Sequence, residues 1–298
     1  MRWLPRTLAV VLGVAVAWTP EPLAGQGPPQ ATLVAVIDTS AWSPPSPDPT
    51  GIAYSPARRK LIVTDSEVEE TALFAGANVF EARRSGSLLR TYDLTRSTRE
   101  PAGVAVPPRS RLTLFVSDDN ADRVFVVRAG EDRRWGTQDD RIRSISTPAF
   151  GSGDPEGLAF GRRSLFIADG SQAEIFLIRR RGPRFDGPPP NGDDVVRRFD
   201  TAALGLSEPE GVDHDPLTGH LFIVSRRERV IAEVTLRGRP VALFDISSSG
   251  IEEPSGVSVV RPDPATLLVY VVDRGADNNE DPAENDGRIF AFSISPAG

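Results

Sequence analysis

The sequence contains no cysteine, two histidines, one methionine and a single lysine, Lys60. Without cysteine there is no disulfide, no thiolate nucleophile and no sulfur-ligated metal. A lipid anchor on a cysteine behind an N-terminal leader is excluded for the same reason. The only histidines, His214 and His220, leave little room for imidazole chemistry. No G-x-S-x-G elbow, H-E-x-x-H pair or phosphate-binding P-loop occurs. Trp42 and Trp135 are the only tryptophans beyond the first eighteen residues, too few for a carbohydrate-stacking platform. No segment sustains a helical period. Basic charge is also short: the formal net charge is −7, and an acidic chain is a poor match for the phosphates of nucleic acid.

The first residues have their own logic. Arg2 and Arg6 precede an apolar run from Leu8 to Trp18, and Pro20, Pro22, Ala24 and Gly25 follow. A basic start, a short apolar run and small residues make the pattern of a secretory signal peptide. The run is too short for a comfortable bilayer span. Residues 1–24 are therefore expected to be removed, by a cut near Ala24 or alternatively after Ala17. Residues 25–31 then form a linker and 32–298 one domain, exported to the periplasm or beyond, with no integral membrane segment and as a monomer.

What the sequence has in abundance is a repeat. Five segments share an acidic residue, proline, any residue and glycine: Asp48–Gly51, Glu100–Gly103, Asp154–Gly157, Glu208–Gly211 and Glu253–Gly256. Each glycine opens a short apolar strand, and a second run follows after a turn, as in Leu112–Val116 or Leu165–Ala168. In four copies that run ends at an aspartate: Asp65, Asp118, Asp169 and Asp273. The fourth copy has Ser225. A third run (Arg123–Val127, Ala173–Ile178) and a fourth (Ser87–Tyr92, Val195–Phe199, Val241–Phe244) complete the unit. Short β-branched and aromatic runs bounded by Gly, Pro, Asp and Asn read as strands. Four strands in a repeat of about 40–50 residues is the arithmetic of a propeller blade. The fold class is all-β, a β-propeller of four-stranded blades with five blades expected and six as the alternative. The last copy lacks a fourth strand, and Thr32–Asp38 is expected to supply it and close the ring.

The carrying stretches Pro101–Val106, Leu114–Asp118 and Asp122–Val126 make the chain resemble the NHL-repeat type of propeller and its bacterial relatives. The rhythm covers nearly all of residues 48–295. It departs from the NHL type in blade number, usually six there, and in longer loops. The resemblance implies the fold; propellers host binding modules, lactonases, phytase-like esterases and lyases alike.

Calcium is the chemistry the loops suggest, since it favours clustered oxygen ligands. Asp273, Asp277, Asn279, Asp281 and Asp286 lie in one acidic stretch, with Asp277, Asn279 and Asp281 at alternate positions. Pro282 stands where an EF-hand would turn on glycine. Two further loops end in paired aspartates, Asp139–Asp140 and Asp193–Asp194. The structural alternative is that Asp, Asn and Gly simply build turns. The motif carboxylates form another candidate set. Asp48, Glu100, Asp154, Glu208 and Glu253 should ring one end of the channel near Glu156 and Glu210, either holding a cation or, as the preferred expectation, accepting backbone N–H bonds from the next blade. Catalysis has only weak candidates: Glu156, Glu210 and His214, the last between two aspartates. The expected function is a secreted binding or interaction propeller, with calcium as the one candidate cofactor and a protein or small molecule as partner at a propeller face. The alternative is a calcium-dependent hydrolase of phytase-like esterase or lactonase type at the channel mouth.

Overall fold

The computed structural model describes residues 29–161, 163–276, 281 and 283–295. Residues 1–24, where a signal peptide is expected, and Asp277 and Asn279 lie outside the described residues. The chain forms five four-stranded antiparallel sheets. Blade 1 is β2 (Pro49–Ser55), β3 (Lys60–Asp65), β4 (Val79–Ala82) and β5 (Leu88–Tyr92). Blade 2 is β6 (Val104–Ala105), β7 (Thr113–Asp118), β8 (Arg123–Arg128) and β9 (Arg141–Ser146). Blade 3 is β10 (Pro155–Gly161), β11 (Ser164–Asp169), β12 (Glu174–Arg179) and β13 (Val195–Asp200). Blade 4 is β14 (Pro209–His214), β15 (Leu221–Ser225), β16 (Val230–Val234) and β17 (Pro240–Asp245). Blade 5 is β18 (Pro254–Asp263), β19 (Thr266–Asp273), β20 (Arg288–Ser295) and, outermost, β1 (Gln30–Asp38). The structure is thus a five-bladed β-propeller, and its last blade is completed by the first strand. β1 pairs with β20 from Gln30 opposite Ser295 to Asp38 opposite Arg288.

A four-stranded sheet with apolar residues on both faces cannot bury them alone. Here each face meets the next blade, and the core divides into five clusters, one per wedge. Phe222, Phe244, Val257 and Phe290 fill the wedge between blades 4 and 5, for example, and Phe166, Ile175, Val212 and Ile223 the one between blades 3 and 4. Two loops between third and fourth strands add aromatic plugs. Trp135 reaches back to Tyr92 of blade 1, and Phe185 packs against Phe115 and Phe160. Both plugs are fully buried.

Around the axis the motif glycines meet in a ring. A Cβ on Gly51 would lie 2.9 Å from the Gly103 Cα; one on Gly103, 2.9 Å from Gly157 Cα; one on Gly157, 2.6 Å from Gly211 Cα; and one on Gly256, 2.9 Å from Gly51 Cα. Only glycine permits backbones so close. Hydroxyls stitch the same level: Ser117 donates to the Glu156 carbonyl of the next blade, and Ser255 donates to the Thr50 carbonyl at 2.7 Å.

The aspartate that ends each second strand is a clasp. Asp65 accepts from Ser46 Oγ at 2.7 Å and Asp48 N at 3.1 Å; Asp118 accepts from Thr98 Oγ1 at 2.6 Å; Asp169 accepts from Gly153 N at 3.2 Å. All three are buried. Each ties its strand to the segment leading into the inner strand. In blade 4, where Ser225 replaces the aspartate, Glu228 takes over: it accepts from Ser225 Oγ and from Ser207 Oγ at 2.6 Å.

Candidate functional site: the acidic mouth of the channel

Every inner strand starts at the same end of the ring, so two variable positions of the repeat build one rim. The first is the free position of the motif: Thr50, Ala102, Glu156, Glu210 and Ser255. The second follows the clasp residue: Ser66, Asp119, Gly170, Arg226 and Arg274. Carboxylates concentrate on blades 2 to 4, and arginines stand on blades 4 and 5. A cavity of about 440 Å³ lies between them, lined in part by Asp154, Glu156, Gly170, Glu210, Arg226 and Arg274.

Asp119, Asp154 and Glu156 each place a carboxylate oxygen within 4.8 Å of the others. Calcium–oxygen bonds run about 2.3–2.6 Å, so one ion can touch oxygens up to about 5 Å apart. All three residues are half-buried. Burial, followed by the charges of Glu210, Asp119 and Asp154, pushes the Glu156 carboxyl well above the usual carboxylate range. Asp119 and Asp154 are raised by burial as well, with the charge of Asp154 adding to Asp119 and that of Asp169 adding to Asp154. Gly170 keeps this corner open: a Cβ there would sit 3.1 Å from Asp154 Oδ2 and 3.6 Å from Glu210 Oε1. Three like charges with raised proton affinity and room for a ligand are what a cation would stabilise.

The opposite side is already neutralised. Arg274 holds Asp48 through Nε at 2.8 Å and Nη2 at 3.2 Å and also bonds Glu67. Burial works against its charge, but Asp48 and Glu67 outweigh it and keep the guanidinium firmly protonated. Arg226 bonds Glu208 and stands 3.7 Å from Glu210 and 3.6 Å from Glu253. Burial raises Glu210 to about 7 against the pull of Arg226.

The expectation for the motif carboxylates is corrected here. Among the described residues none of the five accepts a backbone N–H from the next blade. Asp48, Glu208 and Glu253 face arginines, and Asp154 accepts from Ser171 N of its own blade at 2.7 Å. At the level of the motif, hydroxyls make the bonds to the neighbouring blade's backbone, as Ser117 does to the Glu156 carbonyl and Ser255 to the Thr50 carbonyl.

The remaining candidates separate into distinct places. Asp273 is the clasp of blade 5: Oδ1 accepts from Glu252 N at 3.1 Å and Glu253 N at 2.7 Å, and Oδ2 pairs with Arg288 at 2.9 Å. Asp281 accepts from Ala283 N, and Asp286 accepts from Ala276 N. Among the described residues, Asp273, Asp281 and Asp286 do not form a three-carboxylate group. Asp139 caps Glu131 N at 2.6 Å, and Asp140 caps Gly136 N at 2.7 Å. Asp193 and Asp194 gather with Asp186 into a second three-carboxylate group. His214 ends β14, whereas Glu210 is its second residue. Four strand residues separate them by about 13 Å, so His214 belongs to the other mouth. There it is buried, stacked on Phe166 with ring centroids 5.7 Å apart, and lines an apolar cavity of about 320 Å³.

Asp119, Arg226 and Arg274 escape motif reading. The signal was the column after each clasp residue, where Ser, Asp, Gly, Arg and Arg succeed one another in an otherwise regular repeat.

Fold and rim define a five-bladed β-propeller with an acidic channel mouth. No protein-family model matches the chain. It is similar in structure to a glutaminyl cyclase of Myxococcus xanthus, at 11% identity over 93% of this chain and 100% of that one, with a TM-score of 0.56. It is likewise similar to a luciferin-regenerating enzyme, at 10% identity over 91% and 96% of the two chains and a TM-score of 0.52. A PQQ-bound aldose sugar dehydrogenase of Streptomyces coelicolor aligns at 14% identity over 92% and 100%, with a TM-score of 0.51. At such identities the likeness shows the fold alone. Among the described residues no helix is long and apolar enough to cross a membrane.

Proposed function

We propose that this protein is a secreted, NHL-like binding propeller that holds calcium at Asp119, Asp154 and Glu156 and uses the ion to capture an oxygen-rich ligand at the channel mouth. Export rests on the leader pattern of residues 1–24. The cation reading rests on one observation, the three carboxylates within 4.8 Å of one another beside an open cavity. Such a group supplies hard oxygen ligands from one side and leaves positions open on the other. Arg226 and Arg274 are already paired with acids, so the ion would bring positive charge to the side of the cavity where Asp119, Asp154 and Glu156 stand.

The test is thermal melting in calcium and in EDTA. Binding to the folded state stabilises by mass action, about 2.7 kcal/mol at a hundredfold excess over the dissociation constant. The parent should melt higher in calcium, and Asp119→Asn with Glu156→Gln should lose that gain. An unchanged melting temperature in the parent removes the proposal.

A second reading, the calcium-dependent hydrolase, draws on the Glu156–Glu210 pair. Both carboxyls hold protons unusually strongly, Glu210 to about 7, which suits a general acid at neutral pH. Calcium would supply polarisation of a phosphoryl or carbonyl oxygen. Glu156→Gln and Glu210→Gln should then abolish any esterase or lactonase activity found in a broad screen; retained activity eliminates this reading.

A further inference from the structure

The loop from Gly182 to Asp194 joins the end of β12 to the start of β13 and carries a second oxygen cluster. Asp186, Asp193 and Asp194 bring one carboxylate oxygen each within 4.8 Å of the others. Asp186 and Asp193 are exposed, but Asp194 is 2% exposed. Its two oxygens have different fates. Oδ2 accepts from Asp186 N and Gly187 N, both at 2.8 Å. Oδ1 is buried with no hydrogen-bond partner among the described residues. A buried carboxylate oxygen left unmatched costs several times a neutral hydrogen bond. Among the described residues no arginine or lysine forms an ion pair with the three acids, and the nearby Arg143 instead donates to the Phe185 carbonyl. Backbone oxygens crowd the same place: a Cβ on Gly192 would meet Gly187 O at 2.2 Å and Asp186 O and Oδ1 at 2.5 Å each.

We propose that this loop is a calcium-class cation site formed by Asp186, Asp193 and Asp194, and that its occupancy pins the Phe185 plug between blades 2 and 3. The ion gives Asp194 Oδ1 its missing partner and draws two exposed aspartates onto a buried one. Phe185 directly precedes Asp186, 1% exposed and edge-on to Phe115 at 5.8 Å and Phe160 at 6.0 Å. A ligand that fixes Asp186 therefore fixes the plug. The role is structural and independent of the channel-mouth site.

The loop between β8 and β9 serves as an internal comparison. Asp140 Oδ2 also accepts two successive N–H groups, Gly136 at 2.7 Å and Thr137 at 3.3 Å, and Oδ1 is again buried without a partner among the described residues. Its acids, however, do not form a three-carboxylate group. The site is therefore assigned to residues 182–194 alone.

Hydrogen exchange of the 182–195 peptide, read by mass spectrometry in the intact folded protein, tests this. Calcium at about ten times its dissociation constant should slow exchange limited by local opening about tenfold. Asp186→Asn changes an exposed side chain and should abolish that slowing, whereas Glu156→Gln, at the channel mouth, should leave it intact. Exchange indifferent to calcium in the parent overturns the proposal, as does slowing that survives in both Asp186→Asn and Asp193→Asn. The outcome is separable from the mouth reading, because slowing confined to inner-strand peptides and lost in Glu156→Gln supports the mouth and contradicts the loop.

Discussion

Arg274 of blade 5 grips Asp48, 226 residues away at the start of blade 1, with two hydrogen bonds of 2.8 and 3.2 Å. Asp48 is wholly buried and Arg274 nearly so. The pair joins the last blade to the first at the axis, where β1 joins them at the rim. Removing one member of a buried pair strands the other's charge, at a cost of about 3–5 kcal/mol. Arg274→Met should lose about that much in urea denaturation, and Asp48→Asn added to it should recover part of the loss. A purely additive double variant contradicts the coupling.

The glycine ring predicts a steric effect without any charge. A Cβ on Gly157 would lie 2.6 Å from both Glu210 O and Gly211 Cα. Backbone cannot yield as a side-chain tip can, so Gly157→Ala should cost about 3 kcal/mol or more in the same denaturation assay. Gly153→Ala, where a Cβ would meet nothing within 4 Å, should stay within about 0.5 kcal/mol of the parent.

A pH effect follows from Glu69. Burial lifts its carboxyl to about 8, and both oxygens are buried without a hydrogen-bond partner among the described residues. A folded pKa above the unfolded value means that the folded state binds more protons, so this contribution is present below the unfolded pKa and is lost as pH rises toward 8. Calcium-free stability should therefore fall between about pH 5 and 8, and Glu69→Gln should flatten the fall. Equal slopes in parent and variant would exclude Glu69 as its source.

Ring closure can be tested by removal of β1. Deleting residues 30–38 bares the edge of β20 along the whole register from Asp38 to Gln30. The shortened protein should melt well below the parent and associate through the exposed edge, measured by calorimetry and light scattering. A truncated protein that melts with the parent contradicts closure by this strand.

Blade number, strand order and the closing strand were legible because the motif recurs with its whole context, from Pro49 to Pro254. β6 is shorter than the run after Gly103 suggests: Pro107 and Pro108 follow at once, and proline cannot extend a ladder. The rim was hidden for a different reason. Asp119, Arg226 and Arg274 carry no motif, and their meaning comes from occupying equivalent places around a ring. Contacts such as Arg274 with Asp48 join residues that local pattern cannot connect. The paired aspartates were visible as pairs, yet the sequence did not show that Asp194 is buried while Asp193 is not. His214 looked like a base between two acids, but strand length carries it to the mouth away from Glu156 and Glu210.

The most direct measurement is a crystal of the protein grown in calcium, with anomalous difference density mapped around the channel. The account predicts a peak bounded by Asp119, Asp154 and Glu156 that disappears in crystals of Glu156→Gln. Calcium-saturated crystals with no peak at that mouth would contradict it.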